Sequence, residues 1–222
     1  MSELRVPAPT AAYDPHCTRC PRLAAFLANT RQRHPQYWAR PVPSFGAARP
    51  RIAIIGLAPG MHGANRTGRP FTGDHAGLLL YQTLYSAGLA NGPQSHSASD
   101  GLRLIDVRIL NSVKCVPPQN KPLPAEIRCC NDYLKAELRR LRSARVYIAL
   151  GRVGHDALLM ALGLRRAAYP FGHGREHALG AARWLIDSYH CSRYNTATGR
   201  LTAPMFRAVV ARACERAALA PR

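Results

Sequence analysis

Acidic residues are scarce in this chain: 12 Asp and Glu stand against 31 Lys and Arg over 222 residues, a formal charge of +19 with histidine neutral. Such a surplus favours a polyanion, because neutralised phosphates release condensed counterions. A solvated arginine-rich surface is the plainer explanation of the same surplus, and charge says nothing about fold. Long apolar runs are missing as well. None approaches a membrane span, and residues 1–16 lack the apolar stretch of a secretory signal. A soluble, intracellular protein with no membrane partner is expected. Only 19% of residues are charged and 47% are hydrophobic, which argues against compositional disorder and suits one α/β domain, 1–222, with its own core.

Phosphate-handling signatures are absent too. The glycine-rich stretch 56–73 contains no Gly-Lys-Ser/Thr and does not fit G-x-G-x-x-G, so a nucleotide-triphosphate enzyme loses its main support. No acidic residue follows Gly56 directly, since Leu57 and Ala58 are both apolar.

What is present is an alternation of strand-like and helix-like segments. Strands are expected at Arg51–Leu57, Leu104–Asn111, Val146–Leu150 and Ala182–Tyr189. Helices are expected at 17–33, entered through Cys-x-x-Cys, at 74–88 with Asp74 as N-cap, and at 124–142 and 151–162. A last helix at 203–217 puts Met205, Phe206, Val209, Val210, Ala213 and Cys214 on one face. The pattern predicts an α/β fold: a three-layer α/β/α sandwich with a central, mostly parallel four-stranded sheet, preceded by an N-terminal segment, 1–50. Parallel strands place ligands beyond their carboxyl ends. Three suggestive segments fall there: the loop after Leu57, Asn111 and His190.

The loop runs Gly-Leu-Ala-Pro-Gly-Met-His-Gly-Ala-Asn-Arg-Thr-Gly-Arg-Pro-Phe-Thr-Gly-Asp over 56–74. It is longer than most connections, and long loops at strand ends tend to be functional. Its glycines permit close backbone approach and its free amides can hold an anion or a carbonyl. Arg66 and Arg69 can add phosphate contacts. Asp74 reads first as a helix cap, and second as a carboxylate that positions water or stabilises positive charge on a sugar. Phe71 is a stacking face or a core ring. Asn111 donates and accepts in one plane, as a base edge requires, or simply forms a turn. His190 alone would be an ordinary strand-end histidine.

Together these residues resemble a known family. The 56–74 block is similar to the first signature of the type B, or family 5, uracil-DNA glycosylases. His190-Cys-Ser-Arg-Tyr-Asn-Thr-Ala-Thr-Gly-Arg-Leu-Thr202 resembles the second, and Asn111-Ser-Val-Lys-Cys115-Val-Pro-Pro-Gln-Asn-Lys is similar to the central segment. The resemblance implies a monofunctional DNA glycosylase that flips out uracil, and other deaminated bases such as hypoxanthine and xanthine, and hydrolyses the N-glycosidic bond to start base excision repair. It implies catalytic roles for Asp74 and His190, and base-binding roles for Gly56, Leu57, Ala58, Gly60, Phe71 and Asn111. Arg66, Arg69, Ser192, Arg193 and Asn195 are the expected DNA contacts, with residues 190–196 pressing into the helix. The implied partner is double-stranded, uracil-containing DNA, and the implied setting a monomer at the nucleoid of a bacterial or archaeal cytoplasm. The apolar Leu57 and Ala58 agree with the type B pattern and leave Asp74 as the leading carboxylate.

Seven cysteines in a reducing compartment point to a metal or a catalytic role before disulfides. Cys17 and Cys20 have metal-clip spacing, and Cys115 and Cys130 lie far downstream. By spacing alone four thiolates can hold zinc or an iron–sulfur cluster. The resemblance favours a structural [4Fe–4S] cluster on Cys17, Cys20, Cys115 and Cys130. Cys130 is preferred to Cys129 because it lies on the apolar stripe 127/130/134/138/141 and precedes x-x-Tyr-Leu as in the family. Cys129, Cys191 and Cys214 read as ordinary thiols. A zinc-stabilised, non-catalytic nucleic-acid-binding protein is the alternative that the same charge and cysteines would carry.

Overall fold

The Ile-Ala-Ile-Ile run behaves as a strand covered on both faces must, with every residue buried. In the computed structural model, which describes residues 12–219, the chain forms in order α1 (Pro21–Arg33), β1 (Phe45–Gly46), β2 (Ile52–Gly56), α2 (Ala64–Thr67), α3 (His75–Ser86) and β3 (Val107–Asn111). It continues through α4 (Pro124–Arg140), β4 (Val146–Leu150), α5 (Gly151–Leu162), β5 (Glu176–Ala178), β6 (Trp184–Ser188), α6 (Arg193–Ala197) and α7 (Ala203–Arg216). The two ends of the expected 1–222 domain, including most of the 1–16 stretch, lie outside the described residues.

Side chains alternate across β2 with period two. Ile52 and Ile54 join Leu80, Leu84, Phe206 and Val210 under α3 and α7. Ala53 and Ile55 join Leu134, Leu138, Ala157 and Leu158 under α4 and α5. These are the two outer layers of the sandwich. A third cluster packs Leu23 and Leu27 of α1 against Val113, Val116 and Tyr133.

The four expected strands are parallel neighbours in the order β3-β2-β4-β6. The expected count needs correction, because β1 and β5 pair antiparallel at the two edges and make the sheet six-stranded. These edges are two and three residues long, too short for an alternating pattern to appear in sequence. The strand expected from Leu104 begins only at Val107, after a left-handed turn at Asp106 (φ 58°), whose carbonyl still accepts from Arg51 and Ile52 N–H. No helix among the described residues is long and apolar enough to cross a membrane.

Candidate active site

The loop between β2 and α3 is shaped by close approaches that exclude side chains. A Cβ on Gly56 would stand 2.6 Å from Asn111 Oδ1 and 2.8 Å from Phe71 Cζ. A Cβ on Gly63 would collide with the Asp74 carboxylate, and one on Gly77 with the Phe71 carbonyl. Phe71 itself takes a left-handed φ of 54°, which for a bulky residue costs on the order of 1–3 kcal/mol and marks sites held by their surroundings. The Tyr81 hydroxyl donates to Pro70 O at 2.7 Å and fixes the turn beside it.

Asp74 is the N-cap of α3 and accepts from Gly77 N–H at 2.9 Å. Desolvation raises its pKa above the ordinary carboxylate value, against the pull of the α3 amides. Capping and a cavity-facing carboxylate therefore coexist in one residue. Asn111 ends β3 and is 3% exposed, and its Oδ1 has no hydrogen-bond partner. Ser112 holds the strand end to the loop by donating from both N and Oγ to Gly56 O, at 2.9 and 2.8 Å. His190, two residues beyond β6, is half-buried and stacks on Phe71 with ring centroids 5.9 Å apart. Burial pushes its pKa down to about 4, so it is neutral near pH 7. Asn195 Nδ2 donates to His190 O at 2.8 Å, and Ser192 caps α6.

These pieces converge on a cleft of about 450 Å³ at the carboxyl ends of the parallel strands. Of the sequence-derived residues, Leu57, Ala58, Gly60, Phe71, Asp74, Asn111, His190, Ser192 and Arg193 line it. Gly56 lies behind, against Asn111 and Phe71. Arg66 is exposed on α2, outside the cleft. Asn195 braces the His190 backbone and does not line the cleft.

Arg69 is a correction. It is 4% exposed, and its guanidinium is engaged by Asp100 Oδ2 at 2.5 Å, Ser95 Oγ at 2.7 Å and Thr72 Oγ1 at 3.0 Å. It ties the loop to the 95–100 segment and has no face left for a phosphate. Its carboxylate partner is too distant along the chain to leave a periodic signal in sequence.

Sequence reasoning missed Asn120 and Arg152, both exposed and both lining the cleft. Asn120 stands in the Pro-Pro-Gln-Asn segment with a left-handed φ of 57°. Arg152 follows the carboxyl end of β4, the one parallel strand end that carried no conspicuous motif. The rule that flagged the other three ends applied equally there.

The cysteines form a second locality. Cys17, Cys20, Cys115, Cys129 and Cys130 line one cavity together with Leu23, Val113 and Tyr133. Among the described residues, no three His, Cys, Asp or Glu side chains are grouped as a ligand set for a metal ion. The chemistry of the lining nevertheless fits an iron–sulfur core. Burial and mutual repulsion push the Cys130 thiol up to about 11 and those of Cys20 and Cys115 higher still. Ionising such thiols together is unfavourable until a cationic centre compensates them. Cys130 is buried and its Sγ accepts from Lys114 N–H at 3.3 Å, whereas half-buried Cys129 donates to Arg19 O at 3.8 Å. Cys129 is thus nearer this site than the sequence led us to expect. Cys191 lies in the core, and half-buried Cys214, on α7, packs against the same cluster.

A mostly parallel sheet thus carries a loop-built cleft at the carboxyl ends of its parallel strands. Residues 43–214 match the uracil DNA glycosylase superfamily, and the chain belongs to that family. The chain is 50% identical over 195 residues to the type-5 uracil-DNA glycosylase of Thermus thermophilus, covering 86% of this chain and 89% of that one. It is 46% identical to the type-5 uracil-DNA glycosylase of Mycobacterium bovis over 197 residues, 85% of this chain and 74% of the other. The type-5 enzyme of Pyrobaculum aerophilum is 40% identical over 223 residues, 96% of this chain and 97% of its own.

Proposed function

We propose that this DNA glycosylase extrudes uracil from double-stranded DNA, acting as a monomer, and hydrolyses its N-glycosidic bond as the first step of base excision repair. The observation that carries the proposal is the convergence of Asp74, His190, Phe71 and the unpartnered Asn111 Oδ1 on one cleft. Extrusion costs a few kcal/mol, least at a mispaired base. The neutral His190 imidazole can donate to the oxygen of the departing base, where negative charge develops. Asp74 faces the sugar, where it stabilises positive charge or orients the attacking water.

The orphaned acceptor also bears on substrate range. Uracil, hypoxanthine and xanthine each present a ring N–H beside a carbonyl, whereas cytosine and adenine present a ring acceptor beside an amino group. The buried Asn111 acceptor can take the ring N–H that all three deaminated bases offer, while the fit of the cleft around it has to exclude thymine and guanine, which offer the same group. We therefore include hypoxanthine and xanthine among the substrates.

Cys17, Cys20, Cys115 and Cys130 would hold a [4Fe–4S] cluster, which supplies a covalent tie between the start of α1, the loop after β3 and α4. The test of the whole proposal is incubation with duplexes carrying uracil, hypoxanthine, xanthine or normal pairs, followed by alkaline cleavage. Strand breaks are expected at the three altered bases and not in the normal duplex. Intact strands in every case would refute it.

A further inference from the structure

Between Asp14 and Asp74 the chain has no acidic residue, while nine arginines fall in that stretch. Two pieces of it meet on the surface beside the cleft. One is the turn 34–40 that follows α1. The other is 61–68, which includes α2 and adjoins Gly60 and Ala64 of the cleft lining. Main-chain bonds join them, from Trp38 N to Arg66 O and from Ala39 N to Asn65 O, each 3.0 Å.

The joined surface is aromatic and basic at once. His34 stacks on Tyr37 at 4.5 Å, Tyr37 meets His62 edge-on at 6.0 Å, and Tyr37 Oη pairs with His62 Nδ1 at 2.9 Å. Trp38 is 39% exposed, and its ring lies against Gly68, where a Cβ would come within 3.0 Å. Arg40 sits 6.0 Å from the Trp38 ring, and Arg31, Arg33, Arg40 and Arg66 are all exposed.

Backbone strain sits between the two outward side chains. Ala39 has a left-handed φ of 40° although it carries a Cβ. Besides its own N–H bond, its carbonyl accepts from Arg31 Nη1 at 2.7 Å. A conformation of that kind persists where the surroundings enforce it, and such sites cluster at ligand contacts. Here it keeps Trp38 and Arg40 at the surface.

We infer that this platform grips the arm of the DNA that leaves the cleft on the α1 side. The arginines meet phosphates, and Trp38 and His62 pack on the sugars or bases of that arm. Exposed rings between cations are the composition that nucleic-acid surfaces use, since every base has a stacking face and every phosphate a charge. The inference rests on the base-excision proposal for its choice of DNA.

Trp38 is its own reporter. The chain has two tryptophans, so Trp184→Phe leaves Trp38 alone. Titration with an undamaged duplex is expected to quench its emission. Unchanged emission while anisotropy shows saturation would overturn the inference. In parallel, Arg40→Ala is expected to lower the slope of log affinity against log salt by about 0.9. An unaltered slope would contradict the phosphate contact. These binding measurements need no damaged base, so they stand apart from a failure of base release, which wild-type protein alone would reveal.

Discussion

Asp74 combines two demands that pull its ionisation in opposite directions. The α3 amides favour the carboxylate, and desolvation at the cleft disfavours it more, so the folded-state pKa is raised. The folded state then binds this proton more tightly than the unfolded state. Its contribution to stability is largest in acid and is lost as pH rises through the raised value. Asn caps helices about as well as Asp, so Asp74→Asn is expected to melt higher than wild type at pH 7 and equally below the ordinary carboxylate pKa. The same variant is expected to lose about 10²–10⁴ of the single-turnover rate while keeping DNA affinity. Wild-type activity should fall in acid as Asp74 takes its proton, with the variant's residual rate flat over that limb. His190, held down to about 4, is not expected to add a limb at the pKa of a free histidine. Gly63 serves Asp74 by having no side chain. Gly63→Ala is expected to displace the carboxylate and slow excision by about 10²-fold, with DNA binding intact; a rate within twofold of wild type would show that the loop simply yields.

At the scale of elements, the end of β6 aims His190, and that end is clamped from beneath. Asp187 is fully buried and pairs with His155 Nδ1 of α5 at 2.7 Å, while its other oxygen accepts from Gly172 N–H at 3.2 Å. His155 Nε2 in turn bonds Tyr169 O at 2.8 Å. Asp187→Ala is expected to destabilise the fold by about 3–5 kcal/mol in chemical denaturation, because it strands a buried imidazole and an amide. A loss under 1 kcal/mol would mean that water replaces the carboxylate. Sequence alone located β2, β4, α5 and α7 well, because the two strands are apolar and buried at every position and the two helices repeat their buried residues on one face. It missed β1 and β5, whose few residues cannot show periodicity, and overran β3, where Asp106 turns back. Helix α2 was hidden inside a glycine-rich loop, since four residues between glycines give no amphipathic signal.

For the molecule as a whole, the site was more legible than the surface around it. Asn111 and His190 sit at or just past strand ends, and Phe71 and Asp74 in the loop that leaves another; the rule for parallel sheets gathers such positions without any contact information. Arg69 was misjudged because the sign of a charge is visible in sequence and its partner is not; Asp100 claims it only after folding. Arg152 was passed over because no motif marked the end of β4, and Asn120, although inside the segment that resembles the family, was given no role. The basic surplus, by contrast, was visible from the start, and folding places part of it beside the cleft as exposed arginines. The account stands or falls on base release. With enzyme in excess over a duplex bearing one uracil, wild-type protein is expected to liberate free uracil, detected by mass spectrometry, in step with abasic sites, and Asp74→Asn to bind the same duplex but release almost none. Wild-type protein that binds the duplex and liberates no base would contradict it.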